Sequence, residues 1–245
     1  MVPEEIIQKI HNAQTSRELE EMVFSLLVED ISKPGLVILP VGGTYEAGIY
    51  PRLNQELLER EDIIHPELYL SHLDELIIEE SSNGEKTSIK SFSETLEASL
   101  SNLCPKLGDR FYKIDTEDLN SFQHFINIRA GARAIYLGLG ENPESAHVAF
   151  IGEEYVNREI VEVELTESCA EKLGVTKAVT VGTDIFSSAG LERIVLTISG
   201  AHKVASFMAA IENIDTGLGY LLEHHLDKLG IYCDHEFAAE FKKKL

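Results

Sequence analysis

Apolar runs separated by polar, helix-patterned stretches recur along most of the chain. LVILPV (36–41) is apolar without alternation, the pattern of a strand buried on both faces. ELYLSHL, RFYKI, ARAIYLGLG, HVAFI, REIVEVEL, KAVTVGT, ERIVLTISG and LGIYCD also read as strands. Between them lie helical patterns: Ile6, Ile7 and Ile10 behind Pro3; Leu19 to Leu27 behind a Thr15 or Ser16 cap; about Tyr45 to Leu58; and Phe92, Leu96 and Leu100 on one face. DTEDLNSFQHFINIRAGA, AHKVASFMAAIE, LGYLLEHHLDKL and HEFAAEFKKKL complete the helices. Strands alternating with helices predict one α/β domain over 1–245, a Rossmann-like, doubly wound and mainly parallel sheet with helices on both faces. In such sheets ligands bind at the carboxyl ends of strands, near a topological switch point.

Composition narrows the ligand. The 245 residues carry 42 Asp plus Glu against 21 Lys plus Arg, a formal charge of −21 that repels nucleic acid and anionic membrane alike. A phosphate ligand therefore needs a local positive niche of backbone amides and a few placed cations. Cys104, Cys169 and Cys233 are widely spaced, without a CxxC pair, and read as structural free thiols. The acidic N-terminus and the lack of a long apolar run predict a cytoplasmic protein; a homo-oligomer is compatible with the chain.

Four strands end in residues suited to chemistry, and a parallel sheet brings all four ends to one edge. LVILPV runs into Gly42, Gly43 and Thr44, an oxyanion cradle at a strand-to-helix turn or simply a tight turn. It is neither a GxxxxGK loop nor GxGxxG. ERIVLTI runs into Ser199, Gly200, Ala201, His202 and Lys203, where a lysine in the first turn of a helix is unfavourable unless an anion sits there. ELYLSHL runs into Asp74 and Glu75, where partial burial raises a carboxylate towards the range useful for moving protons; a helix cap is the alternative. The fourth end carries Glu141, Glu144, His147 and Glu153, a histidine among carboxylates that would gain basicity, unless the loop is only solvated. His72 and Asp74 alternate like a metal pair but have no third ligand at a supporting spacing, so no metal is expected.

These motifs resemble the glucosamine-6-phosphate deaminase and 6-phosphogluconolactonase family. LPVGGTYEAGIY is similar to its LPTGGTP loop, HLDEL to NMDEY, GLGENPESAHVAF to GIGxDGHIAF, and KAVTVGTDIF to YALTVGVGT. ISGAHKVASFMAAIE and YLLEHHLDKLGIYCDHEFAAEF resemble its closing segments, in order from about residue 36 onward. The resemblance implies a phosphorylated sugar as partner and no cofactor. By it, Asp74 matches the base that shuttles a proton between C1 and C2, and His147 the histidine that assists ring opening. Gly42, Gly43, Thr44, Gly200 and Lys203 match the phosphate-binding segments. Ser145 stands where the deaminases carry an aspartate, leaving Glu141, Glu144 and Glu153 as candidates for that role, and Lys172 is the cation nearest the place of their phosphate-binding arginine. The implied activity is isomerising deamination of an amino-sugar 6-phosphate; lactone hydrolysis and non-catalytic sugar-phosphate binding are the alternatives.

Overall fold

A computed structural model describes residues 2–78, 89–140, 147–151, 160–213 and 215–245. In chain order the elements are α1 (Glu4–Gln8), β1 (Ile10–Asn12), α2 (Ser16–Ile31), β2 (Gly35–Leu39), α3 (Tyr50–Glu59), β3 (Leu68–His72), β4 (Asp74–Leu76), α4 (Phe92–Ser99), α5 (Cys104–Leu107) and α6 (Leu119–Ile128). They continue as β5 (Ala134–Gly138), β6 (Ile160–Glu164), α7 (Glu167–Leu173), β7 (Lys177–Val181), β8 (Arg193–Ile198), α8 (Val204–Glu212), α9 (Gly217–His224), β9 (Leu229–Cys233) and α10 (His235–Lys242).

Six strands form one sheet in the order β1-β9-β8-β5-β2-β3, and every pairing in it is parallel. The strand pleat explains why β2, β5 and β8 read as unbroken apolar runs: Leu36, Ile38, Ile135 and Leu137 face one core, while Val37, Leu39, Ala134 and Tyr136 face another. Helices α6, α8, α9 and α10 fill the first core, and α2, α3, α4 and α5 fill the second. The sheet is thus covered on both faces, as the sequence predicts. From β2 the chain moves outward to β3, and then returns to the other side of β2 to lay down β5. The switch point lies between β2 and β5.

Several strands behave differently from their patterns. REIVEVEL and KAVTVGT supply β6 and β7, which pair antiparallel with each other, and β7 also pairs antiparallel with β4, in a separate three-stranded sheet of order β4-β7-β6. The burial of β6 alternates, in keeping with a sheet solvated on one face. RFYKI and HVAFI each yield a single bridge, Phe111 to Leu70 and Val148 to Leu139. Ile10, expected on the first helix, opens β1 and pairs with Ile231, because an edge position beside β9 satisfies its backbone better than another helical turn.

Leu73 joins the two sheets. Its amide donates to Leu39 O of β2 at 3.1 Å and its carbonyl accepts from Val181 N of β7 at 3.0 Å, so the chain changes sheets within one residue. At the opposite, amino edge of the large sheet, fully buried Asp30 accepts from Arg133 Nη1 (2.8 Å) and the Tyr136 hydroxyl (2.6 Å), anchoring α2 to β5. All three thiols are free; burial pushes those of Cys104 and Cys233 up to about 12. Among the described residues no helix is long and apolar enough to cross a membrane.

Candidate active site

A cavity of about 830 Å³ opens at the carboxyl edge, over the switch point. Gly42, Gly43, Thr44, Asp74, His147 and Lys203 all line it, so residues from four strand ends converge as the parallel topology requires. Lys90 and Lys172 add cations to the wall, whose carboxylates among the described residues are Asp74 and Glu46. Among the described lining residues, the lysines Lys90, Lys172 and Lys203 outnumber these carboxylates.

Gly42 and Gly43 have φ of 99° and 57°, and a Cβ on either would meet nothing within 4 Å. Glycine is favoured there by the left-handed backbone, not by lack of space. The following turn, Tyr45–Ile49, is a π-helix before α3 begins, a local widening often found at functional sites. Two buried tyrosines hold it: the Tyr45 hydroxyl lies 2.8 Å from Thr197 Oγ1, and the Tyr50 hydroxyl donates to Pro40 O at 2.6 Å. On the facing strand end, Lys203 Nζ donates to Leu139 O at 2.7 Å, reaching from β8 across to β5. Gly200 differs from expectation. Its amide donates to Asp234 Oδ2 at 2.9 Å, its φ is 92°, and the neighbouring Ser199 and Lys203, not Gly200 itself, line the cavity.

Asp74 and Glu75, adjacent in sequence, point to different work because consecutive strand residues face opposite sides. Glu75 is buried and accepts from Leu76 N (2.8 Å), Phe92 N (2.8 Å) and Ser93 N (3.0 Å), completing the start of α4 beside the Ser91–Glu94 capping box. Asp74 lines the cavity, and its Oδ1 accepts from Thr180 Oγ1 (2.6 Å) and Phe150 N (3.3 Å). Burial pushes its carboxyl up to about 7, and the bonds from Thr180 and Phe150 pull only part of the way back. His72 is no metal ligand: Nδ1 donates to Asp74 O at 2.7 Å while Nε2 accepts from Ile114 N at 3.1 Å, so both ring nitrogens are used within the fold. Among the described residues no three His, Cys, Asp or Glu side chains gather as a metal site.

His147 is placed by a short antiparallel contact. Gly140 N donates to His147 O at 2.8 Å, and the imidazole lies so close over Gly140 that a Cβ there would come within 2.4 Å of Nε2. Beyond it, Ala149 has φ of 53°, an unusual conformation for a residue with a Cβ, and the turn it forms brings Phe150 N onto Asp74. Phe150 in turn stacks on Phe92 with centroids 6.2 Å apart. The expected gain in basicity is reversed: burial, with Lys203 and Lys172 adding to it, lowers the imidazole below its usual range. The carboxylates Glu141, Glu144 and Glu153 lie outside the described residues.

Thr180 is the site residue that the strand pattern of KAVTV conceals. Its one signal is a polar side chain in the middle of an apolar strand, where it is fully buried. Lys90 carries no local signal at all, since it reaches the cavity only through the way α4 packs.

No family model and no curated protein sequence matches the chain. Solved structures do match its fold. A monomeric glucosamine-6-phosphate deaminase superposes with a TM-score of 0.67 at 20% identity, over 94% of this chain and 99% of that one. The 6-phosphogluconolactonase from Trypanosoma cruzi gives 0.71 at 16% identity, over 94% of this chain and 95% of that one. That from Trypanosoma brucei gives 0.71 at 17%, over 94% and 97%. The likeness suggested by the motifs therefore holds for the fold across nearly the whole chain.

Proposed function

We propose that this chain is an enzyme acting on phosphorylated sugars, and that it carries out isomerising deamination of an amino-sugar 6-phosphate. The observation that carries this reading is Asp74, a carboxyl at the cavity wall held up at about 7, beside the anion cradle at Gly42 to Thr44 and the amine of Lys203. A group titrating near neutrality can both take a proton from carbon and return it. The phosphate sits on the cradle amides and Lys203, leaving the sugar's first two carbons towards Asp74 and His147. Neutral His147 relays the proton that opens the ring. Asp74 takes the C2 proton and delivers it to C1; the resulting imine at C2 takes up water and releases ammonia, leaving a ketose 6-phosphate.

One observation favours a second reading. With its imidazole held neutral by burial and two lysines, His147 is also suited to activating water against a sugar-phosphate lactone, the reaction named for two of the matching folds. Incubation with glucosamine- and galactosamine-6-phosphate, and separately with 6-phosphogluconolactone, distinguishes the two. Ammonia release abolished in Asp74→Asn supports the deaminase. Hydrolysis of the lactone above its spontaneous rate, without ammonia from either amino sugar, replaces it with the lactonase. Saturable binding without turnover of any of them leaves a sugar-phosphate binder and removes both reactions.

A further inference from the structure

Asp234 opens the last helix, far from the cavity in sequence, yet its two carboxylate oxygens are divided between two tasks. Oδ1 accepts from Phe237 N at 2.9 Å and caps α10. Oδ2 accepts from Ser199 Oγ at 2.7 Å and from Gly200 N at 2.9 Å, at the turn where β8 ends. The side chain is buried, and the residue's own amide donates to Ile198 O at 3.3 Å, so its position is set by the pairing of β8 with β9 and not by solvent.

We infer that Asp234 is a positioning residue for the anion-binding segment Ser199 to Lys203, joining it to the C-terminal helix through one buried carboxylate. The inference rests on the reading that this segment receives the ligand's phosphate. Ser199 and Lys203 line the cavity, and between them Gly200 takes the left-handed conformation. Without the Oδ2 contact the Gly200 amide has lost its acceptor, and Lys203, whose backbone is tied to Gly200 O at 3.2 Å, loses the fixed point from which it reaches across to β5. Ordering this turn then has to occur during binding, which weakens affinity without touching the proton-transfer groups. The contact also ties the Ser199–Gly200 turn to α10, beside Phe207 of α8 packed edge-on against Phe237 and Phe241 at 5.4 Å each.

The test uses the full chain and inorganic phosphate as probe, with Asp234→Ser as the deciding variant. Serine keeps an N-cap for α10 but has a single, shorter oxygen and cannot serve both partners. The expected result is a phosphate Kd about tenfold weaker by calorimetry, a matching rise in KM for whichever sugar phosphate is turned over, and kcat within about twofold. Phosphate also slows amide exchange across 235–242 in the parent chain and not in the variant. An unchanged or tightened Kd in folded Asp234→Ser overturns the inference and leaves Asp234 a helix cap only. Should circular dichroism show that Asp234→Ser is unfolded, the isosteric Asp234→Asn decides by the same two outcomes. Failure of the parent chain itself to bind phosphate and every sugar phosphate overturns the phosphate reading, a result distinct from a variant that merely binds as well as the parent.

Discussion

The hydroxyl of Thr180 donates to Asp74 Oδ1 at 2.6 Å, linking two residues on antiparallel neighbours of the small sheet, β7 and β4. This bond holds the carboxyl lower than burial alone would, and so sets where it titrates. Thr180→Val keeps the volume and removes the donor. The pH profile of kcat/KM should move to higher pH by about one unit, and Thr180→Ser should restore it. An unmoved profile would mean that another group controls the pH dependence.

Asp74 should also trade stability for chemistry. Its folded-state value of about 7 stands above the ordinary 3.8, so the folded chain binds more protons than the unfolded chain between those limits. Stability must fall as pH rises through that window, and above it the ionised carboxylate costs on the order of 2–4 kcal/mol. Asp74→Asn is therefore expected to raise the melting temperature at pH 8 and to change it little at pH 4, while kcat falls by about 10²–10⁴-fold. Thermal unfolding at the two pH values together with steady-state assays checks both halves.

Gly140 is held to glycine by His147. An alanine Cβ would lie 2.4 Å from the imidazole Nε2, so Gly140→Ala must displace the ring. Loss of kcat by about tenfold or more with little change in KM is expected, since the phosphate cradle is untouched. A parallel rise in KM would indicate that the ring also contributes to ground-state binding.

Lys203 bridges from one strand end to the carbonyl of Leu139 on another. Replacing it by methionine preserves the stem and removes the charge from the cavity. KM for the phosphorylated substrate should rise about 10–100-fold, and its dependence on salt should flatten, because one screened attraction has been deleted. Titrating KM against sodium chloride in both proteins measures this directly.

The strand ends were readable because they obey local rules. Gly42 and Gly43 sit where the left-handed backbone favours glycine, and a carboxylate or lysine just past an apolar strand is conspicuous in the chain itself. What adjacent residues do was not readable in this way. Asp74 and Glu75 share one local context, yet one faces the cavity and the other closes the start of α4. Gly200 resembles Gly42, but Asp234 takes its amide, a partner 34 residues away.

Apolar runs, helical spacing and turn residues were enough to specify a covered parallel sheet with its chemistry at one edge, since hydrophobic burial and strand direction are carried by local pattern. Which groups are pushed towards neutral pH, which lysines reach the cavity wall within so acidic a chain, and which carboxylate supports the turn at Ser199 were decided by tertiary packing. Desolvation and hydrogen bonding depend on neighbours that the chain brings together from separate strands, and no residue's spacing along the sequence encodes them.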